Sequence, residues 1–207
     1  MSPYAEQLPE WPKSGRHIMA QFDEESIVVY QAYRPAIADF AVRNQRFGGE
    51  FSYARMSWIK PNFLWMMFRC GWASKEGQER ILAIRIKRPF FDELLESAVA
   101  STYTASGAAS HDDWKKSVAC SDVRLQWDPD HDPRGNPVER RAIQLGLRGR
   151  MLRRFGEEET VSITDMTPFV MEQRESVACG NRILLVPKEQ CYIPAGAGAS
   201  RNIGLNP

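Results

Sequence analysis

The chain has 207 residues, and its 27 Lys and Arg against 26 Asp and Glu give a formal net charge of +1. A chain of this length with 43% hydrophobic residues can bury a core without disulfides or a structural metal. The near-zero charge gives no global attraction to nucleic acid or to an anionic membrane. The four cysteines form no Cys-x-x-Cys pair, which excludes zinc-finger and thioredoxin-like sites. No segment resembles a secretory signal or a bilayer-spanning run, so we expect a cytoplasmic protein without a membrane partner.

The first half of the chain predicts a hairpin followed by two helices. Residues 1–15, rich in Pro and polar groups, are predicted to be flexible. An acidic turn at 23–26 separates two strand-like runs, and the consecutive apolar residues 27–30 predict a central strand covered on both faces. A helix is predicted from Pro35, with Gly48–Gly49 ending it. A second helix is predicted over residues 61–70.

The remaining elements alternate irregularly between strand and helix. In chain order the patterns predict a strand at 80–87, helices at 89–100 and 111–120, a strand hairpin from 122–129 and 140–147, helices at 149–159 and 167–180, and a last strand at 181–187. Because strict βαβ alternation is missing, we predict a single α+β domain over residues 16–194, with a mixed, mostly antiparallel sheet and packed helices. The small-residue tail 195–207 is predicted to be flexible.

Several long segments are similar to a known family. They are VYQAYRPAIADFAV, QRFGG, RMSWIKPNFLWMMFRCGW, QERILAIRI, QWDP and RAIQLGL. On these segments the chain resembles the domain-of-unknown-function family 4291 of bacteria and fungi, from about Phe22 to Tyr192. The resemblance implies one complete domain, and it implies no activity, cofactor or catalytic residue.

The segment RMSWIKPNFLWMMFRCGW, residues 55–72, places three cations at the ends of an apolar helix. If Pro61 is the first helical residue, Lys60 takes the cap position, and lysine cannot accept hydrogen bonds from the free backbone N–H groups. The positive helix end, Lys60 and Arg55 together predict an anion site, particularly for phosphate, while Arg69 complements the far end of the helix. The alternative is a helix start filled by Asn62 or by water.

Other polar side chains complete the candidate site. Asp128 and Glu79, each beside an apolar strand, are candidate general bases and therefore candidate catalytic residues. Besides Arg55 and Lys60, the candidate ligand-binding residues are Tyr30, Gln31, Arg34, Arg46, Gln126 and Gln144. No cofactor follows from the sequence.

Two further patterns are ambiguous. Asp128, Asp130, Asp132 and Glu139 match positions 1, 3, 5 and 12 of an EF-hand loop, but Pro133 stands where the sharp turn requires glycine. We therefore assign no metal ligand, with a looser divalent site as the alternative. The second pattern is a cluster of arginines, which consists of Arg140, Arg141, Arg148, Arg150, Arg153 and Arg154. It forms either a row of contacts for the phosphates of a nucleic acid or a salt-bridged surface.

These patterns leave three functional hypotheses. The chain lacks the GxGxxG and GxxxxGK[ST] motifs, so Rossmann and P-loop folds have no support. The first hypothesis is a transferase-like enzyme acting on a phosphate-bearing ligand such as a nucleotide, NAD or an RNA end. The alternatives are a nucleic-acid-binding module that uses the arginine cluster, and a non-catalytic interaction domain that presents Trp11, Trp58 or Trp72. The oligomeric state is not predicted.

Overall fold

The computed structural model describes residues 1–180 and 183–205. In these ranges the strands are β1 Ser2–Pro3, β2 Gly15–Arg16, β3 Ile18–Ala20, β4 Ser26–Tyr33, β5 Ser57–Ile59, β6 Arg80–Lys87, β7 Val99–Ala100, β8 Val123–His131, β9 Pro137–Leu147, β10 Thr160–Asp165, β11 Leu185–Val186 and β12 Gln190–Tyr192. The helices are α1 Tyr4–Gln7, α2 Pro35–Asn44, α3 Phe63–Cys70, α4 Arg88–Ser97, α5 Tyr103–Ser106, α6 His111–Cys120, α7 Gly149–Glu157, α8 Thr167–Cys179 and α9 Ala197–Ile203. The predicted α+β class is confirmed.

The largest sheet is built around the β8–β9 hairpin, which the sequence predicts. Its strand order is β2-β9-β8-β7, and β5 pairs with the end of β9 that β2 leaves free. Apolar residues alternate along both hairpin strands, so Leu125 and Leu145 pair on the face that enters the main core. The opposite face of the hairpin carries Gln126 and Gln144, which are also paired, and this polar face is available for a site.

A second, antiparallel sheet has the order β10-β6-β4. The run 27–30 is buried on both faces as predicted, but the prediction of a central strand is wrong, because β6 takes the middle position in this sheet. The edge strand β10 is not predicted by the sequence. The segment contains few apolar residues, and one of them, Val161, is exposed. Its sequence alone therefore resembles that of a polar loop.

The two glycines of the QRFGG segment have a different role from the predicted one. Helix α2 ends at Asn44, where Gln45 adopts the left-handed conformation with φ 54°. The prediction that Gly48–Gly49 ends this helix is therefore wrong. A Cβ at Gly48 would lie 2.7 Å from the ring of Phe40, so at this position the glycine makes room for that ring.

The terminal segments predicted to be flexible contain secondary structure and buried side chains. In the N-terminal segment Trp11 is only 5% exposed, and its indole Nε1 donates a 3.2 Å hydrogen bond to the carbonyl of Glu189. In the C-terminal segment, Ile203 of α9 is buried against the main core. Short helices with few apolar residues give little periodicity, which is why the sequence reads as linker there. No described helix is long and apolar enough to cross a membrane.

Candidate functional site

Lys60 lies at the junction of the two sheets. Its backbone forms an antiparallel bridge with Tyr30, in which the Tyr30 amide donates a 2.7 Å hydrogen bond to the Lys60 carbonyl. The side chain is 7% exposed and makes no hydrogen bond or ion pair within residues 1–180 and 183–205. Burial, and secondly the nearby charge of Arg69, lower the pKa of Lys60 to about 8, while Asp128 acts in the opposite direction. Lys60 is therefore a buried cation whose charge the described chain does not satisfy by direct contact.

Asp128 is held on the polar face of the hairpin by two side-chain amides. Gln126 Nε2 donates to Asp128 Oδ1 and Gln144 Nε2 donates to Oδ2, each at 2.7 Å. Ile59 pairs with Leu145, so the next residue, Lys60, lies opposite Gln144. Both side chains therefore project from the polar face of the sheet. We call Lys60, Asp128, Gln126 and Gln144 the Lys60–Asp128 site. Four residues that the sequence predicts for a site thus come together.

Helix α3 covers this site and contributes an aromatic and cationic side. Arg69 lies over the ring of Trp65 at 5.9 Å, and the imidazole of His131 stacks on Phe68 with 3.5 Å between ring centres. Two buried nitrogens here, Trp65 Nε1 and His131 Nδ1, have no hydrogen-bond partner in the described residues. Burial lowers the pKa of His131, which favours the neutral imidazole. The site therefore also contains buried nitrogens whose hydrogen-bonding capacity the described residues do not use.

The N-terminus of α3 is capped by the protein itself. The helix begins at Phe63, and its cap is Asn62, whose Oδ1 accepts a 2.6 Å hydrogen bond from the Trp65 amide. Glu189 Oε1 accepts a 2.6 Å hydrogen bond from the Phe63 amide. The prediction of Lys60 as cap, with free amides for a phosphate, is therefore wrong. The acceptor over this helix end is the carboxyl group of Glu189, and burial raises its pKa to about 8.

The two capping residues differ in how clearly the sequence indicates them. Asn62 is one of the residue types that favour the cap position, and it directly follows the proline on which the prediction relied. Glu189 had no local signal, since it lies 126 residues from Phe63 in the chain. A contact of that range can be found only by placing the last strands on the fold.

Two of the predicted ligand residues share a separate cavity. Arg34 and Arg55 both line a cavity of about 480 Å³ next to β5. Gln31 lies behind it and donates hydrogen bonds to Ser57 Oγ at 2.8 Å and to the Trp58 carbonyl at 3.1 Å. These residues are brought together, but in a different place from Asp128.

Three further predicted site residues have other positions. Tyr30 is buried, packs edge-on against Phe63 and positions Lys60 through the backbone bridge. Arg46 is exposed. Glu79 accepts a 2.7 Å hydrogen bond from the Gly77 amide and so closes its own loop. A ligand-binding or catalytic role for these three stays a prediction.

The acidic loop and the arginine cluster are largely internally paired. Asp130 and Arg140 form a buried ion pair at 2.6 Å, and Asp132 accepts hydrogen bonds from Asn136 in the hairpin turn. Four of the six clustered arginines are in ion pairs, namely Arg140, Arg148, Arg153 and Arg154. Within the described ranges, no three His, Cys, Asp or Glu side chains are grouped to hold a metal ion.

The comparison with protein families agrees with the resemblance seen in the sequence. The sequence profile of DUF4291, described as a domain of unknown function, matches residues 17–192. The chain belongs to the DUF4291 family. A search of curated proteins finds no match. The DUF4291 match includes the whole Lys60–Asp128 site and Glu189, but it begins after Trp11.

Proposed function

We propose that this DUF4291 protein is a transferase-like enzyme that acts on a phosphate-bearing ligand, such as a nucleotide, NAD or an RNA end, at the Lys60–Asp128 site. One observation carries the proposal. Lys60 is a buried cation without a direct partner in the described chain, and it lies beside a carboxylate that two amides fix in place.

The free-energy cost of burying Lys60 favours an anionic ligand. An ion transferred from water into a protein loses several kcal/mol of solvation unless a counter-charge or hydrogen bonds replace the water. Asp128 is near enough to influence the pKa of Lys60, but both its oxygens already accept hydrogen bonds from glutamines. A phosphate group supplies up to two negative charges and several acceptor oxygens, which suits the ammonium group of Lys60 together with the guanidinium of Arg69.

Asp128 is the group best placed to accept a proton. A carboxylate offers about four acceptor positions, so the two amide hydrogen bonds leave lone pairs for a substrate hydroxyl. The amides fix the orientation of the carboxylate, which is what a general base needs before the substrate arrives. In this proposal Lys60 and Arg69 hold the phosphate, and Asp128 takes the proton of the substrate hydroxyl as its oxygen bonds to phosphorus and the bond from phosphorus to the leaving oxygen breaks.

Thermal-shift measurements with and without Lys60 test the proposal. We expect AMP, ATP, NAD or a short 5′-phosphorylated RNA to raise the Tm of the wild-type protein, by the equivalent of roughly 2.7 kcal/mol at one hundred times Kd. Lys60→Met should reduce the shift, because the Lys60–Asp128 site then lacks its ammonium group. The matched control is Lys116→Met, which removes an exposed lysine on α6.

A second variant separates binding from chemistry. Asp128→Asn should keep the ligand-induced shift and lose turnover of whichever ligand binds, because the amide cannot act as the base. If none of these ligands raises the Tm of the wild-type protein, the proposed function is wrong. It is also wrong if the ligands raise the Tm of Lys60→Met as much as they raise the Tm of Lys116→Met.

A further inference from the structure

The cavity next to β5 is a second place where polar groups gather. It has a volume of about 480 Å³ and is lined by Tyr33, Arg34, Phe51, Arg55 and Ser57, among others. Cavities of this size are typical for small ligands. We propose that this cavity, called here the Ser57 cavity, binds a phosphate monoester independently of the Lys60–Asp128 site.

The strand geometry separates the two sites. Side chains alternate between the faces of a strand, and Ser57 and Lys60 are three residues apart, so they project from opposite faces of β5 and its continuation. In agreement, Ser57 pairs with Leu147 on the core face, whereas Lys60 lies beside Gln144 on the polar face. A phosphate bound at Lys60 therefore does not occupy the Ser57 cavity.

The hydroxyl groups at the cavity leave one proton without an acceptor. Ser57 Oγ accepts a 2.8 Å hydrogen bond from Gln31 Nε2 and shares a 2.9 Å hydrogen bond with the hydroxyl of Tyr33. The two hydroxyls carry two protons, and only one of them lies between the two oxygens. Neither hydroxyl donates to any other group in the described residues. Burial raises the pKa of Tyr33, so its proton is retained, and one O–H remains for an oxygen of the ligand.

Two arginines provide the positive charge. The side chain of Arg55 is exposed and has no hydrogen bond or ion pair in the described part of the chain. Arg34 pairs with Glu50 at 2.5 Å, but these side chains are 54% and 58% exposed. Ion pairs as exposed as this contribute little to stability. A phosphate monoester, with nearly twice the charge of the Glu50 carboxylate, should therefore replace it on Arg34.

Helix α2 adds to the positive potential of the cavity. Arg34 is its N-cap residue and offers no side-chain acceptor to the first turn, in which Ile37 also lines the cavity. A helix N-terminus carries a partial positive charge and favours a nearby anion. The helix end contributes to the site that the cavity, the spare hydroxyl proton and the two arginines define.

The test is a calorimetric titration with phenyl phosphate in the Lys60→Met protein, where the other proposed site is removed. We expect one bound phenyl phosphate per chain. Adding Arg55→Gln or Arg34→Gln should weaken binding at least tenfold, because each removes a charged donor. The matched control is Arg43→Gln, which removes an exposed arginine from the far end of α2 and does not line the cavity.

The outcomes distinguish the two proposals. If Lys60→Met alone binds no phenyl phosphate, or if Arg55→Gln and Arg34→Gln bind as tightly as Arg43→Gln, the Ser57 cavity is not a phosphate site. Either result leaves the proposed function standing, because that proposal depends on the ligand-induced shift being smaller in Lys60→Met. Conversely, binding in the Ser57 cavity stands even if no ligand shift depends on Lys60.

Discussion

Lys60 is the residue at which stability and ligand binding should oppose each other. Its pKa of about 8, against an ordinary 10.5, means that the folded protein holds the charged form at a cost on the order of 1–3 kcal/mol near neutral pH. A site that binds an anion would retain such a residue despite this cost. Replacing the ammonium group by an apolar chain of similar length removes the cost.

We therefore expect Lys60→Met to raise the free energy of unfolding at pH 7 by about 1–3 kcal/mol. Between pH 8 and 10.5 the unfolded chain still holds a proton that folded Lys60 has lost, so this residue makes wild-type stability rise with pH. The variant should lack that rise. Urea denaturation at pH 7, 8 and 10 measures both effects, and a variant less stable than wild type at pH 7 would contradict the prediction.

Glu189 should produce the opposite pH dependence in a lower window. Its pKa is raised from 4.5 to about 8, so the folded protein binds its proton more tightly than the unfolded chain does. The resulting stability is fully present below pH 4.5 and is lost as the pH rises to 8. Glu189→Gln keeps an oxygen for the Phe63 amide and cannot ionise.

We expect the wild-type protein to lose stability relative to Glu189→Gln as the pH rises from 5 to 8. Thermal unfolding of both proteins across this range measures the difference. Glu172→Gln, an exposed carboxyl on α8, is the matched control. Parallel Tm curves for wild type and Glu189→Gln would show that Glu189 does not titrate in this window.

At the scale of elements, helix α3 depends on its cap. Asn62 Oδ1 accepts from the Trp65 amide, and Asn62 Nδ2 approaches Glu189 Oε2 at 3.4 Å. Asn62→Ala should cost about 0.5–2 kcal/mol, and therefore lower the Tm by a few degrees. Asn62→Ser retains a side-chain acceptor at the cap position, so its Tm, measured by calorimetry, should lie close to that of the wild-type protein. Equal Tm values for Asn62→Ala and wild type would mean that the cap bond does not stabilise the helix.

The sequence predicted those elements whose patterns are local. The β8–β9 hairpin follows from alternating apolar residues, and the buried face of α3 follows from helical spacing, so Gln126, Gln144 and Asp128 could be placed near one another in advance. The predicted start of α3 lies two residues before the observed one, because proline favours the first helical position whereas Pro61 here precedes the cap residue Asn62. β10 was missed because its pairing with β6 is a tertiary contact.

The candidate site was predictable only in part, for a similar reason. The local sequence around Lys60 and around Asp128 indicates each residue separately, but their proximity depends on how β5 adds to the edge of β9. The sequence predicts one site for Arg34, Arg55 and Asp128, whereas Arg34, at the start of α2, and Arg55, before β5, line a separate cavity. Periodicity describes one element at a time, whereas the site combines several.

At the scale of the whole molecule, the N-terminal segment contributes to the fold. Trp11 is buried in a hydrophobic cluster with Phe63 and Met67 of α3, and Arg140 lies over its ring while donating to the Pro12 carbonyl at 2.7 Å. Trp11→Ala should therefore lower the free energy of unfolding by about 3–5 kcal/mol. Leu8→Ala, at a 46% exposed position of the same segment, should change it by less than about 0.5 kcal/mol. Similar small losses in both variants, measured by urea denaturation, would contradict a packed N-terminal segment.

The hydrogen bond from the Phe63 amide to the carboxyl group of Glu189 has a consequence for synthesis of the protein on the ribosome. The Phe63 amide donates to Glu189, which is synthesised 126 positions later. The Gln7 side chain donates to the Pro187 carbonyl, 180 positions later. Domains fold as units once enough of the chain has emerged. A nascent chain stalled before residue 189 therefore has helix α3 without the carboxyl group of Glu189 and the first residues without their docking surface. The segment around Gln7 therefore leaves the ribosome long before the residues that it docks against.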